Sequence, residues 1–198
     1  MNLMSRAIVT QRKGRPLASE EGLVLKVPEC GKGIGAVIGR PDSPELIAGV
    51  PIEPLSLHPD DRGYFLEIQR FGCGLAASFP AQTSQFSAEL SFPGTVKAFH
   101  YHLWQSDCWT TVRGVFQVAL LNLREGSRTI GVNNTLYVGA LRPWQILIPP
   151  GVGHGYKVIG RSEAMLVHMT DRFYNSEDEG RIPYNDPLIN YDWETQHK

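Results

Sequence analysis

The sequence predicts an all-β protein, an antiparallel sandwich or barrel of many short strands. Three observations carry this. Alternating β-branched and aromatic runs recur along the 198 residues, which is the pattern of half-buried strands. No long stretch has the 3.6-residue period of an amphipathic helix. Turn formers are abundant, with 20 glycines and 14 prolines, and they separate the apolar runs. The length fits one domain with room for a substantial core.

Residues 1–45 read as an N-terminal arm. SRAIVTQ and GLVLKVPE are short strand candidates, followed by the glycine-rich GKGIGAVIGR. A phosphate loop there would need a helix N-terminus behind it, and Pro41 and Asp42 interrupt any such helix. The expectation is a hairpin or arm that adds strands to a sheet or clasps a neighbouring subunit. From Glu45 the texture changes, and residues 46–198 form the main domain. ELIAGVPIEPLSLHPDDRGYFLEIQRF reads as strand, turn at HPDDRG, strand. Tyr64 and Leu66 alternate there with Phe65 and Glu67. Arg62, at the strand mouth, offers a planar fork to a phosphate or carboxylate, or else closes a surface ion pair at the turn. In the next run Gln85, Ser87 and Glu89 alternate with Phe86, Ala88 and Leu90. A polar face of that kind points to a pocket for a polar ligand rather than a dry core. VRGVFQVALLNLREGS and TLYVGALRPWQILIPPGVGHGYKVIG are strand–turn–strand patterns, with Gly126 and Ser127 at the break. AMLVHMTDRF is the last clear strand. The tail from Tyr174 is turn-rich and acidic, with at most two turns of helix.

A formal net charge of −1 leaves no electrostatic footprint for nucleic acid. No run approaches the length of a membrane span, and the first residues lack the apolar core of a secretory signal. Cys30, Cys73 and Cys108 are odd in number and lack paired metal-ligand spacing. A cytoplasmic protein with reduced thiols is expected. Cys108 adjoins the histidine-bearing strand described next and is either a pocket residue or a structural one.

The chemistry concentrates in residues 94–114, GTVKAFHYHLWQSDCWTTVRG. His100 and His102 are two positions apart, so on a strand both imidazoles project from the same face. Asp107 follows, and Gly94 and Gly114 bracket the unit. Further on, IPPGVGHGY carries His154 on a Pro/Gly turn. Two imidazoles, a carboxylate from the next turn and a third imidazole suit Fe, Mn, Ni or Zn with positions left open. Without metal the same groups act by hydrogen bonding and proton transfer. Trp104 and Trp109 flank the set, placed to stack on a base or sugar ring or to pack in the core. His58 and His197 lie at a turn and in the tail. His168 lies on the last strand, where parity decides whether it faces the pocket.

Written out, G-x5-H-x-H-x4-D-x6-G from Gly94 to Gly114 and P-x-G-x2-H from Pro149 to His154 resemble the two cupin motifs, with Asp in place of Glu. From Ala48 to Trp193 the chain resembles the dTDP-4-dehydrorhamnose 3,5-epimerase family. DDRGYFLEI, QFS, GTVKAFHYH, VRGVFQVALLNLREGS, IPPGVGHGY and YNDPLINYDW match it in order and spacing. The resemblance implies a jelly-roll sandwich, a homodimer and a pocket for a nucleotide-linked keto-sugar, with no metal or other cofactor. It implies proton abstraction next to a ketone by a histidine base. A lysine stabilises the enolate, a tyrosine protonates the opposite face, and a C-terminal aspartate orients the histidine.

Carried over, His100 is the base. Arg62, Phe65, Glu67, Gln85 and His154 take pocket positions, and Lys97 stands where the family has an arginine for the pyrophosphate. The chain departs from the pattern at several points. No lysine lies between Asp107 and Thr110, Val167 stands at the tyrosine position, and the orienting aspartate falls beyond Trp193, with five residues remaining. His102 replaces a glutamine, giving an H-x-H pair that resembles that of nucleotide-sugar ketoisomerases, so His100 and His102 are both catalytic candidates. Three readings follow: a keto-sugar epimerase or isomerase, a metal-dependent enzyme ligating a divalent transition metal through His100, His102, Asp107 and His154, and a sugar-binding homologue without catalysis.

Overall fold

The computed structural model describes residues 6–8 and 23–195, and no helix occurs among them. Six short strands come first: β1 (Arg6–Ile8), β2 (Leu25–Val27), β3 (Ala36–Val37), β4 (Ile52–Pro54), β5 (Leu57–Asp60) and β6 (Gly63–Leu66). Then come β7 (Gln85–Ser91), β8 (Val96–His102), β9 (Asp107–Arg113), β10 (Val115–Asn122) and β11 (Asn133–Gly139). The last are β12 (Trp144–Ile148), β13 (Val152–Ile159), β14 (Ala164–Thr170) and β15 (Glu179–Arg181).

Two sheets form the sandwich. One has six strands in the order β15-β8-β13-β10-β11-β3, the other five in the order β4-β12-β9-β14-β7. The chain passes from one sheet to the other at β3–β4, β7–β8, β8–β9, β9–β10, β11–β12, β12–β13, β13–β14 and β14–β15, the jelly-roll habit. The β1–β2 and β5–β6 pairs stand as separate two-stranded ribbons.

Two cores explain the sequence pattern. Phe116, Val118 and Leu120 of β10 point between the sheets, where they meet Leu136, Val138, Ile146, Ile148 and Val158. Ala119 and Leu121, on the opposite parity, point to the outer face of the six-stranded sheet. That is why β10 reads as an unbroken apolar run instead of alternating. The outer face is covered by Leu25 and Val27 from the N-terminal side and by Ile189, Tyr191 and Trp193 from the tail. The tail is therefore a structural lid on the sheet, with β15 added to its edge.

The segment 23–45, expected as an arm or as extra strands on a sheet, is built into this architecture. β3 joins the edge of the six-stranded sheet beside β11, and Ile38 shares the inner core with Ile47 across the expected boundary at residue 45. His197 lies outside the described residues.

Candidate active site

A cavity of about 620 Å³ opens between the sheets. Its walls follow from strand parity. On β8, His100 and His102 face in, while Phe99 and Tyr101 turn to the outer core. β13 lies on one side of β8, pairing His154 with His100; β15 lies on the other, pairing Glu179 with His102 and Arg181 with His100. Asp107 and Trp109 of β9, Leu166 and His168 of β14 and Glu89 of β7 come from the facing sheet. The register of β8 on β13 shifts between His154 and Tyr156, and Lys97 and Ala98 both reach the cavity at this irregularity.

Two positions differ from the sequence-based expectation. His154 lies on strand β13, not on a turn; the turn is at Pro149–Gly151, where Gly151 has φ +75°. Asp107 is the first residue of β9 rather than a turn carboxylate. Pairing with β12 and β14 holds it buried in the sheet.

Hydrogen bonding orders the buried end. His154 Nδ1–H donates to the Val152 carbonyl at 3.0 Å, so its Nε2 lone pair faces Asp107 Oδ2 at 3.5 Å. Burial drives the His154 pKa down to about 4, against the pull of Asp107. Asp107 accepts Gln105 Nε2–H at 2.7 Å and Trp109 Nε1–H at 3.3 Å. A carboxylate only accepts, so the amide nitrogen of Gln105 faces inward, 3.3 Å from His102 Nε2. Behind His102, the Asp178 carboxylate accepts the backbone N–H groups of Leu103, Trp104 and Gln105 at 2.8–3.0 Å. It lies 3.8 Å from His102 Nδ1.

His102, Asp107 and His154 each offer one donor atom, all within 4.8 Å of one another. This donor set fits a divalent transition metal, and the carbonyl on His154 Nδ1 is the usual partner of a metal-bound imidazole. His100 does not belong to the group, which corrects the four-ligand expectation: its Nδ1 lies 3.2 Å from Glu179 Oε1, turned to the β15 edge.

His100 has the surroundings of a base. Burial lowers its pKa, while Glu179 works to raise it. The neutral ring donates Nδ1–H to Glu179, which leaves the lone pair on Nε2. Burial tends to raise the Glu179 pKa, but hydrogen bonding to Arg181 and the charge of His100 outweigh it, and the net shift is downward. Arg181 Nε holds Glu179 Oε1 at 2.5 Å. At the mouth, Lys97 closes an ion pair with Glu89.

Four residues expected in the pocket do not line this chain's cavity. Arg62 is 83% exposed and pairs with Asp60 at 2.6 Å, the surface ion pair weighed above. Phe65 is 65% exposed on the β5–β6 ribbon. Glu67 pairs with Arg70. Gln85 donates to Ser87 Oγ at 3.0 Å and accepts the Tyr174 N–H at 3.2 Å. The first three sit on or beside the β5–β6 hairpin, which forms a two-stranded sheet of its own. Cys108 packs with Ala76, Phe79 and Met169 away from the cavity, and burial pushes its thiol up to about 12. Trp109 lines the cavity with its ring edge-on to His154.

Gln105, Tyr174, Glu179 and Arg181 also line the site, although none stood out in the sequence. The alternation of Glu179 and Arg181 was the available signal, but β15 is three residues long and lies inside an acidic, turn-rich tail.

A jelly-roll sandwich with a histidine-lined polar cavity between its sheets defines a cupin-type protein. The chain matches the family model described as dTDP-4-dehydrorhamnose 3,5-epimerase over residues 45–198 and belongs to that family. It is 41% identical over 155 residues to the spore coat polysaccharide biosynthesis protein SpsL of Bacillus subtilis, covering 77% of this chain and 100% of that one. It is 33% identical to the probable low-salt glycan biosynthesis epimerase Agl13 of Haloferax volcanii, covering 76% of this chain and 96% of that one. Among solved structures it resembles NovW, a 4-keto-6-deoxy sugar epimerase from the novobiocin cluster of Streptomyces spheroides. That likeness has a TM-score of 0.66 at 25% identity and covers 85% of this chain and 82% of that one.

Proposed function

We propose that this protein is an epimerase or isomerase of a nucleotide-linked keto-sugar, with His100 as its base. The observation that carries this is the His100–Glu179 pair on the wall of the cavity. A proton next to a ketone is acidic enough for a neutral imidazole to remove when the enolate oxygen finds a positive or hydrogen-bonding partner. Glu179 does for His100 what the family's aspartate does, fixing the tautomer and orientation. Lys97 and Arg181, both on the cavity wall, supply positive charge for a diphosphate. The membership of the chain in an epimerase family and its likeness to NovW support the same reading.

The test is deuterium incorporation from D2O into a nucleotide-linked 4-keto-6-deoxy sugar. Exchange in the wild type that vanishes in His100→Ala is the expected result. No exchange by the wild type would reduce the protein to a sugar-binding homologue.

The protein acts as a homodimer in the cytoplasm, where its three free cysteines stay reduced. Exposed Phe86, Leu90 and Phe92 form the outer face of β7 and its end, with Phe71 edge-on to Phe86. A cluster of exposed apolar side chains favours burial against a partner. A second copy there leaves the β5–β6 hairpin free to carry Arg62, Phe65 and Glu67 toward the partner's cavity.

A divalent transition metal on His102, Asp107 and His154 is the second reading, favoured by the convergence of those donors. Such a metal supplies Lewis-acid polarisation of a carbonyl, at the place where the family's lysine is missing. Elemental analysis of the purified protein beside His102→Ala decides this reading. About one metal per chain that the substitution removes supports it, and no metal after reconstitution rejects it.

A further inference from the structure

Inverting a carbon next to a ketone takes two proton-handling groups, one on each face of the planar enolate. A single base can remove a proton and return it only to the face it came from. We propose that His168 is the group on the face opposite His100, a role that rests on the epimerase reading above.

The two histidines come from opposite layers of the sandwich. His100 stands on β8 of the six-stranded sheet and His168 on β14 of the five-stranded sheet, and both line the same cavity. Parity on β14 is set by its neighbours. Leu166, two residues before, also lines the cavity, and His168 pairs in register with Trp109, another wall residue. Val167 is opposite Thr110 and turns away from the cavity, so the position next to it in sequence carries the pocket side chain.

His168 is also uncommitted. Among the described residues no hydrogen bond or ion pair is formed by its ring. His100 is held by Glu179, His102 by Gln105 and His154 by the Val152 carbonyl. The other hydroxyls and acids near the cavity are less suited. Tyr156 is bonded through its hydroxyl to Ser91 at 2.8 Å. Tyr174 lies at the rim and is 58% exposed. Burial lowers the His168 pKa, with Asp107 opposing and His102 assisting, which makes its protonated form a stronger acid than free imidazolium. His168 is half-buried, so solvent can recharge it.

The protons balance. His100 Nε2 takes the proton from carbon, and the C–H electrons form the enolate. His168, charged by a solvent proton, delivers that proton to the same carbon from the other face. The ketone re-forms, His168 returns to neutral, and protonated His100 releases its proton to solvent.

The experiment separates exchange from inversion. In D2O with a nucleotide-linked 4-keto-6-deoxy sugar, the wild type is expected to give both label and inverted product. His168→Gln should keep labelling within a few-fold, because His100 is intact, while inversion falls about 100-fold. His168→Asn repeats the test with a smaller side chain, and nucleoside diphosphate binding checks that each variant is folded. The proposal is overturned if His168→Gln inverts at the wild-type rate, if exchange and inversion fall together, or if Tyr174→Phe alone shows the selective loss. A wild type that neither exchanges nor inverts would remove the epimerase reading, and the role of His168 with it.

Discussion

At the scale of single residues, burial governs the site. His100, His154 and His168 are all held below the ordinary histidine value of 6.5 by desolvation, His154 down to about 4. The sign for stability follows from proton uptake. Between pH 6.5 and 4 the unfolded chain binds protons that folded His154 refuses, so stability falls as the pH drops through that window and levels off below it. Chemical denaturation at a series of pH values should show this loss, and His154→Gln should flatten it. His100 must be unprotonated to act as a base. The acid limb of kcat/KM should therefore lie below pH 6.5, and replacing Glu179 by Gln, which removes the group that raises the His100 pKa, should move it lower still. A limb above pH 6.5 would count against His100 as the base.

At the scale of elements, the site depends on the seam between β8 and β13. Gly155 allows these strands to come this close: a Cβ there would sit 2.3 Å from Ala98 Cβ and 2.7 Å from the Lys97 carbonyl. Backbone and a short side chain cannot step aside, so Gly155→Ala must part the strands that carry His154 and His100. A loss of about 1–3 kcal/mol is expected from overpacking of this kind, read as a lower denaturation midpoint, together with a larger loss of turnover than of ligand affinity. Gly151→Ala is a useful comparison. It crowds Arg124, Leu25 and Leu23 at the start of β13 and should destabilise without disturbing the His154–His100 pairing itself. Asp178 acts at this scale too, because one buried carboxylate gathers three consecutive N–H groups and so shapes the β8–β9 connection.

At the scale of the whole molecule, β7 presents its polar residues inward and its apolar residues outward. Glu89 reaches the cavity while Phe86 and Leu90 are exposed. That inversion of the usual order fits the proposed dimer, in which a ligand would fill one side of the sheet and a second subunit the other. Sedimentation analysis should find a dimer for the wild type, and a Phe86→Glu, Leu90→Glu pair should give a monomer whose turnover falls because Arg62 and Phe65 lose the partner's cavity. A monomeric wild type would leave those residues as plain surface groups.

Several features were legible without any structure. Period-2 alternation and turn residues are local, and they determined the strand-rich class, the inward parity of His100 with His102 and the polar face of β7. The same local logic could not see across the fold. Whether His168 or Val167 faces the cavity depends on the register of β14 against β9. Whether His100 joins a donor cluster depends on Glu179, which lies 79 positions away in sequence and meets it only because β15 completes the sheet edge. The histidines themselves were written in the chain. Their division into a ring paired with Glu179, a buried cluster around Asp107 and a free ring on the facing sheet was decided by tertiary structure, because burial and hydrogen-bond partners are properties of packed neighbours rather than of sequence spacing.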